Sequence, residues 1–143
     1  MTAETDLGAL VSGCDAVIHL AAELAQPSDM HRVNVEATMA LAREAAAQNV
    51  RCFVHASSMV VFGSPKQPVI DENSALIDPD LPIEAQYQAE PYLREYARTK
   101  ALAELRLAKL ALAMTTIVIR PAVVADRQKF LEALSWGASR KWL

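Results

Sequence analysis

The chain has 143 residues, which is enough for one domain with a real hydrophobic core. Its apolar fraction of 52%, its charged fraction of 22% and its net charge of −3 fit a soluble globular protein and disfavour a disordered one. It has no run of Lys or Arg, no CxxC pair and no apolar stretch long enough to span a bilayer, so we expect no nucleic acid, no metal and no membrane among its partners.

The cysteines and the N-terminus predict a cytoplasmic location. Cys14 and Cys52 lie beside apolar, strand-like segments and lack the spacing of metal ligands, so we expect buried free thiols in a reducing compartment. Residues 1–6 are acidic and polar, unlike a secretory signal.

Helical and strand-like segments alternate along the chain. In order, the patterns predict a helix at 4–12, a strand at 15–20, a helix at 28–48, a strand at 51–56, a helix at about 90–109, a strand at 115–120 and a short helix at about 127–136. The strands are apolar throughout, which is typical of a parallel sheet covered on both faces. We therefore predict an α/β fold with a doubly wound parallel sheet of about three strands and flanking helices.

Local signals refine the long helix at 28–48. Ser28 can cap its first turn, and Val33, Ala37 and Leu41 have the spacing of an inward-facing stripe.

In sheets of this kind, ligands bind beyond the carboxyl ends of the strands. Segments 19–22, 57–58 and 121–122 follow the three predicted strands and should emerge at one edge. A long connection, 57–88, leads from that edge to the helix that carries Tyr96. The pattern predicts that polar side chains of these segments converge on one crevice.

Tyr96 and Lys100 lie four residues apart on the predicted helix, so their side chains share one face. A neighbouring ammonium lowers the pKa of a phenol, and such a pair can exchange a proton near neutral pH. The alternative interpretation is a half-buried aromatic beside a surface lysine that pairs with Glu104. The pair by itself does not decide between them.

The three histidines invite a metal interpretation. His19 and His55 fall on neighbouring predicted strands, but no carboxylate or cysteine has the spacing of a third ligand. We interpret both as polar residues whose hydrogen bonds are satisfied, at the strand ends or in the core.

Five segments in a fixed order carry a family resemblance. They are DAVIHLAAEL at 15–24, VNVEAT at 33–38, FVHASSMVVFG at 53–63, YARTKALAE at 96–104 and IVIRP at 117–121. Together they resemble the extended short-chain dehydrogenase/reductase family, which includes NAD-dependent epimerases, dehydratases and 3β-hydroxysteroid dehydrogenase-like enzymes. The resemblance reaches about residue 125 and implies a partial Rossmann-like NAD(P)-binding domain over residues 1–143.

The resemblance also implies a site. Tyr96 matches the tyrosine that exchanges a proton with the substrate. Lys100 matches the lysine that lowers the tyrosine pKa and holds the nicotinamide ribose, and Ser58 matches the hydroxyl that hydrogen-bonds the reacting oxygen. Besides Tyr96 and Lys100, the positions that match the family's cofactor-lining segments are Leu20, Ala21, Ala22, Pro121 and Ala122.

The implied cofactor is NAD or NADP, and the protein supplies its position and electrostatics. The implied substrate is a small molecule with a hydroxyl or carbonyl carbon, such as a sugar nucleotide or a steroid-like compound. Asn34 matches a helix asparagine to which we assign a structural role.

The glycine-rich turn and most of the family's substrate part have no counterpart in this chain. The strand at 15–20 is then expected to be an exposed apolar edge, open to self-association. We expect the polypeptide alone to bind nicotinamide dinucleotide weakly or not at all. Two functions stay open: a fragment of an NAD(P)-dependent oxidoreductase or epimerase/dehydratase, and a truncated non-catalytic remnant that at most mediates association.

Overall fold

Three short parallel strands form the centre of the fold in this computed structural model, which describes residues 5–110 and 112–122. They are β1 (Ala16–His19), β2 (Cys52–Ala56) and β3 (Thr115–Ile119), and β2 lies in the middle. The predicted α/β fold with a partial Rossmann-like parallel sheet is confirmed. The helix expected at about 127–136 lies outside the described residues.

Helices precede, connect and cover these strands. Helix α1 (Leu7–Val11) begins after Asp6, whose carboxylate accepts the backbone N–H of Ala9. The second helical stretch is composite, with α2 (Pro27–Met30), a π-helical segment and α3 (Thr38–Ala47) in continuous order.

The π-helical segment is His31–Ala37, and it changes which side chains face inward. Its i→i+5 hydrogen bonds widen the helix and rotate the following residues. Asn34, Val35 and Thr38 are buried, whereas Val33 and Ala37 of the predicted stripe are only half-buried. Leu41, the third member of the stripe, is buried as predicted.

The predicted start of this composite helix is also wrong in detail. Helix α2 begins at Pro27, after Gln26, and no side chain of the described residues caps it. Proline has no N–H to be capped and its fixed φ suits the first helical position, so Ser28 lies inside the first turn instead.

Helix α4 (Pro91–Lys109) is the longest regular helix among the described residues, and it carries Tyr96 and Lys100. Two hydrophobic clusters form the core beside it. The first packs α1, α3 and α4 around Phe53 of β2, which is fully buried. The second holds the connection between β2 and α4 in place, and its members are Val61, Phe62, Ile77, Ala97 and Ala101.

The connection between β2 and α4 contains two 3₁₀ turns, Met59–Phe62 and Ile83–Ala85. Gly63 ends the first turn with a positive φ of 62°. A Cβ at this position would lie 2.5 Å from the carbonyl oxygen of Gln86, so the close approach of the two segments requires glycine.

The described helices cover one face of the sheet. Along β1 and β2 buried side chains alternate with more exposed ones, so the expectation that both faces are covered is not met within the described residues. β1 forms an edge of the sheet, where Ile18 is 66% exposed and Leu20 just beyond it 68% exposed. The expected exposed apolar edge is therefore confirmed, and an apolar groove of about 490 Å³ runs along it.

Two further expectations concern thiols and membranes. Cys14 is exposed and Cys52 is partly exposed, so the expected burial of both thiols is wrong; Cys14 sits in the turn that follows α1, at the surface. In the described parts of the chain, we find no helix with the length and apolarity that crossing a bilayer requires.

Candidate active site

Lys100 is 1% exposed and reaches the carboxyl end of the central strand. Its ammonium donates a hydrogen bond to the carbonyl oxygen of Ala56, the last residue of β2, at 2.6 Å. Burial lowers the pKa of Lys100 to about 8, and the nearby Glu104 carboxylate opposes that fall. The interpretation of Lys100 as a surface lysine is therefore wrong.

Tyr96 lies one turn before Lys100 on α4 and is half-buried. Burial raises the pKa of its phenol. The expected lowering of this pKa by a neighbouring ammonium is thus wrong for the chain as described here, because desolvation of the phenolate dominates.

Ser58 follows β2 and begins the 3₁₀ turn Met59–Phe62. Its hydroxyl accepts the backbone N–H of Val60 at 3.4 Å, which fixes the serine at the carboxyl edge of the sheet. Within residues 5–110 and 112–122, no hydrogen bond directly joins Ser58, Tyr96 and Lys100. Lys100 instead binds the carbonyl oxygen of Ala56, which lies two residues before Ser58 in the chain.

The segments after β2 and β3 are joined by their backbones. Ser57 donates its N–H to the carbonyl of Ile119 at 2.8 Å, and Met59 donates to the carbonyl of Pro121 at 3.0 Å. Two predicted segments therefore meet, as expected from parallel strands that end at one edge.

The predicted cofactor-lining positions lie beyond the strand ends and are open to solvent. Pro121 is half-buried, and the exposed members are Leu20, Ala21, Ala22 and Ala122. Alanine side chains are short, so a planar ring can approach this edge closely. The residues present thus suit a flat cofactor ring.

An ion pair that sequence reasoning missed joins α4 to the end of β3. The guanidinium of Arg120 donates to both carboxylate oxygens of Glu104, and the shortest contact, Nη2 to Oε2, is 2.7 Å. Glu104 is 5% exposed, and Arg120 also lies 5.2 Å from the centre of the Phe62 ring. The two charges are 16 residues apart in sequence, so the i,i+3 and i,i+4 spacings of a helix do not predict this pair.

The two histidines of the neighbouring strands, His19 of β1 and His55 of β2, stack near the carboxyl ends of these strands. His19 pairs with His55 in the parallel register, and their ring centres are 5.7 Å apart. His19 shares a 2.9 Å hydrogen bond with the Thr38 hydroxyl, as predicted for a satisfied core residue. Both ring nitrogens of His55 and the hydroxyl of Ser57 lack partners among the described residues, so that prediction is wrong for His55.

Burial holds both imidazoles in the neutral form. The pKa of His19 falls to about 4 and that of His55 to about 3, mainly through desolvation, and the charge of Lys100 adds to the effect. No set of three or more His, Cys, Asp or Glu side chains that could bind a metal comes together in the described part of the chain.

A model of an NAD-binding family, described as male sterility protein, matches residues 3–138 of this chain. The resemblance drawn from the five motifs is thereby supported over nearly the whole length. No curated protein sequence matches the chain significantly.

Solved structures with a similar fold include a short-chain dehydrogenase/reductase superfamily protein and two epimerases. A short-chain dehydrogenase/reductase superfamily protein from Agrobacterium tumefaciens with bound NAD is 32% identical, over 80% of this chain and 33% of that one, with a TM-score of 0.62. UDP-glucose 4-epimerase from Brucella ovis in complex with NAD is 25% identical, over 74% of this chain and 31% of that one, with a TM-score of 0.58.

A UDP-N-acetylglucosamine 4-epimerase from Methanobrevibacter ruminantium, in complex with UDP-N-acetylmuramic acid, shares the fold at 22% identity. That match covers 94% of this chain and 45% of the epimerase, with a TM-score of 0.66. This chain therefore spans between about a third and less than half of the length of these three proteins.

Proposed function

This chain belongs to the NAD-binding family described as male sterility protein, within the short-chain dehydrogenase/reductase superfamily, and on that premise we propose a function for it. The proposal is an NAD(P)-dependent oxidoreductase or epimerase/dehydratase that acts on a hydroxyl or carbonyl carbon, with Tyr96 as the acid/base. The observation that carries it is the buried ammonium of Lys100 at the carboxyl end of β2, one helical turn from Tyr96.

Burial of the Lys100 ammonium costs desolvation free energy, which a residue with a purely structural role could avoid. A buried ammonium is desolvated, and within residues 5–110 and 112–122 only one of its three N–H groups has a hydrogen-bond partner, the carbonyl of Ala56. At neutral pH it stays mainly protonated, because its lowered pKa of about 8 is still above 7. Two N–H groups remain to bind a ribose hydroxyl or the phenol of Tyr96.

Tyr96 is suited to the role of general acid. Burial raises its pKa, so the phenol keeps its proton at neutral pH and can donate it to a carbonyl oxygen of the substrate. Ser58, on the neighbouring turn, is the proposed partner that hydrogen-bonds the same oxygen. A bound nicotinamide would supply the hydride.

The proposed cofactor is NAD or NADP, held by Leu20, Ala21, Ala22, Tyr96, Lys100, Pro121 and Ala122. The proposed substrate class is a sugar nucleotide, because a related protein at 25% identity is described in complex with UDP-glucuronic acid and NAD. The proposed location is the cytoplasm, where the exposed thiol of Cys14 stays reduced.

The experiment is a turnover assay with a panel of UDP-sugars. Reduced nicotinamide reports net oxidation of the substrate, and chromatography of the sugar nucleotides reports epimerisation or dehydration, in which the cofactor is regenerated. The cofactor concentration is kept high, to offset the weak binding expected of this chain. The Tyr96→Phe variant is expected to lose about 10²- to 10⁴-fold in turnover, the usual contribution of a positioned acid/base.

A matched control tests whether the loss belongs to the phenol of Tyr96. Tyr92→Phe makes the same change one turn earlier on α4, at a side chain that is 45% exposed, and should keep wild-type turnover. Equal loss in both variants, or full turnover in Tyr96→Phe, contradicts the proposal. A wild-type chain that neither turns over nor binds NADH favours the non-catalytic alternative.

The second candidate is association through the edge strand β1. It is favoured by the exposure of Ile18 and Leu20 at β1, which is an edge strand of the sheet within the described residues. Ile18→Lys is expected to reduce self-association in sedimentation velocity. Val69→Lys is the control, because Val69 is 73% exposed but lies in the connection before α4. Association that Ile18→Lys leaves unchanged contradicts this candidate.

A further inference from the structure

Thr99 lies between Tyr96 and Lys100 on α4 and is fully buried. Its hydroxyl oxygen accepts a hydrogen bond from the side-chain amide of Asn34 at 3.1 Å. The same oxygen lies 3.0 Å from the carbonyl oxygens of Glu95 and Tyr96, to one of which it donates its proton. One hydroxyl thus connects α4 to the π-helical segment.

Asn34 uses all of its side-chain hydrogen-bonding groups except one lone pair. Its carbonyl oxygen accepts the backbone N–H of Glu23 at 2.7 Å, and its amide donates to the backbone carbonyl of Glu23 at 2.9 Å. The remaining amide N–H goes to Thr99. Because Asn34 is fully buried, loss of the Thr99 hydroxyl would leave that N–H unpaired.

Glu23 directly follows the exposed turn Leu20–Ala22. Its carboxylate accepts the backbone N–H groups of Ala25 and Gln26, which closes the loop that leads into α2. A continuous set of hydrogen bonds therefore runs from Glu23, the residue after Ala22, through Asn34 to Thr99. It ends on α4 at the turn that presents Tyr96 and Lys100.

We propose that Thr99 is a positioning residue that couples the Leu20–Ala22 turn to the part of α4 that carries Tyr96 and Lys100. The proposal rests on the proposed function, since it makes Thr99 hold the cofactor-lining turn in register with the acid/base. A buried helical threonine can satisfy its hydroxyl on a carbonyl of the preceding turn alone. The additional bond to Asn34, 65 residues away in sequence, is what the helix itself does not require.

The test measures amide hydrogen exchange of the full chain by NMR. Thr99→Val removes the hydroxyl and keeps the branched shape, and it should speed exchange of the Glu23 amide by about tenfold relative to the amides of β2. Thr99→Ser keeps the hydroxyl and should restore wild-type protection. Thr116→Val makes the same change at an exposed position of β3 and should have no effect on Glu23.

Three outcomes overturn the positioning role. The first is unchanged exchange at Glu23 in Thr99→Val, and the second is an equal rise at Glu23 and throughout β2, which reports only lower global stability. The third is a Thr99→Ser variant that behaves like Thr99→Val. If Thr99→Val does not fold, Thr99→Ala gives the same comparison.

Hydrogen exchange does not depend on turnover, so the two proposals can fail separately. Loss of turnover in Tyr96→Phe, with no local effect at Glu23 in Thr99→Val, would refute the role of Thr99 and leave the proposed function standing. Full turnover in Tyr96→Phe, with faster exchange at Glu23 in Thr99→Val, would refute the proposed function and leave the coupling through Thr99 standing.

Discussion

Lowering the pH from 7 to 5 is expected to destabilise this protein through His19 and His55. Both rings are buried and stacked between β1 and β2, and desolvation depresses their pKa values to about 4 and about 3. The unfolded chain regains the ordinary value of 6.5. Between these values the unfolded state binds more protons than the folded state, so the free energy of unfolding falls as the pH falls below 6.5.

The magnitude follows from proton uptake by the unfolded chain. At pH 5 an imidazole with a pKa of 6.5 is almost fully protonated, while the folded rings remain mainly neutral. Integrating the linkage relation from pH 7 to 5 gives about 2 kcal/mol for each histidine, hence about 4 kcal/mol for the pair. Lys100 adds little in this window, because its folded pKa of about 8 lies above it.

The assay is urea unfolding followed by circular dichroism at pH 7 and pH 5. His55→Phe removes one titrating ring and keeps an aromatic side chain in the core, so the pH-dependent loss should fall to about half, about 2 kcal/mol. His31→Gln, which changes an imidazole at the surface, is the matched control and should retain the loss seen in the wild type.

Two results would refute this reasoning. A wild-type protein whose free energy of unfolding is the same at both pH values would show that the rings do not stay neutral in the folded state. A His55→Phe variant with the full wild-type loss would show that the pH dependence has another origin.

Two more substitutions test the packing around the candidate site by urea unfolding. Glu104→Gln should destabilise the protein by about 3 kcal/mol, because it leaves the guanidinium of Arg120 without its buried counter-charge. A loss no larger than that caused by Asp15→Asn, which breaks the exposed pair with Arg51, would contradict this prediction. Gly63→Ala should lower the free energy of unfolding by about 3 kcal/mol, since it combines a positive φ with a Cβ 2.5 Å from a carbonyl oxygen. Gly13→Ala has a similar φ but open space around the Cβ, so it should cost less, and equal losses would contradict the steric argument.

Much of the fold could be predicted because its signals are local. Apolar runs bounded by turns indicated all three strands, and the helix predicted at about 90–109 agrees with α4. The composite helix was predicted as one element, and Leu41 of its predicted inward stripe is buried, but Val33 and Ala37 are only half-buried. The π-helical segment depends on where Asn34 and Thr38 find partners on other elements, and a window of neighbouring residues does not contain those partners.

The candidate site divides in the same way. The rule for parallel sheets predicted the carboxyl edge at which Ser58 and Lys100 lie, whereas the roles of Ser58, Tyr96 and Lys100 stay a prediction from motif order. The direction of the Tyr96 pKa shift could not be predicted, because it depends on how far burial of the phenol outweighs a nearby charge. The His55 ring, which has no hydrogen-bond partner among the described residues, could not be predicted either, since this depends on which polar atoms approach one core position.

The sequence by itself determined the order and type of the elements, the family, and the spacing that places Tyr96 and Lys100 on one helical face. Only the tertiary structure decided that Lys100 is buried on Ala56, that Glu104 pairs with Arg120, and that Thr99 contacts Asn34. The physical reason is distance along the chain. Periodicity and capping act over a few residues, whereas burial, ion pairing and buried hydrogen bonds join residues that only the packed fold brings together.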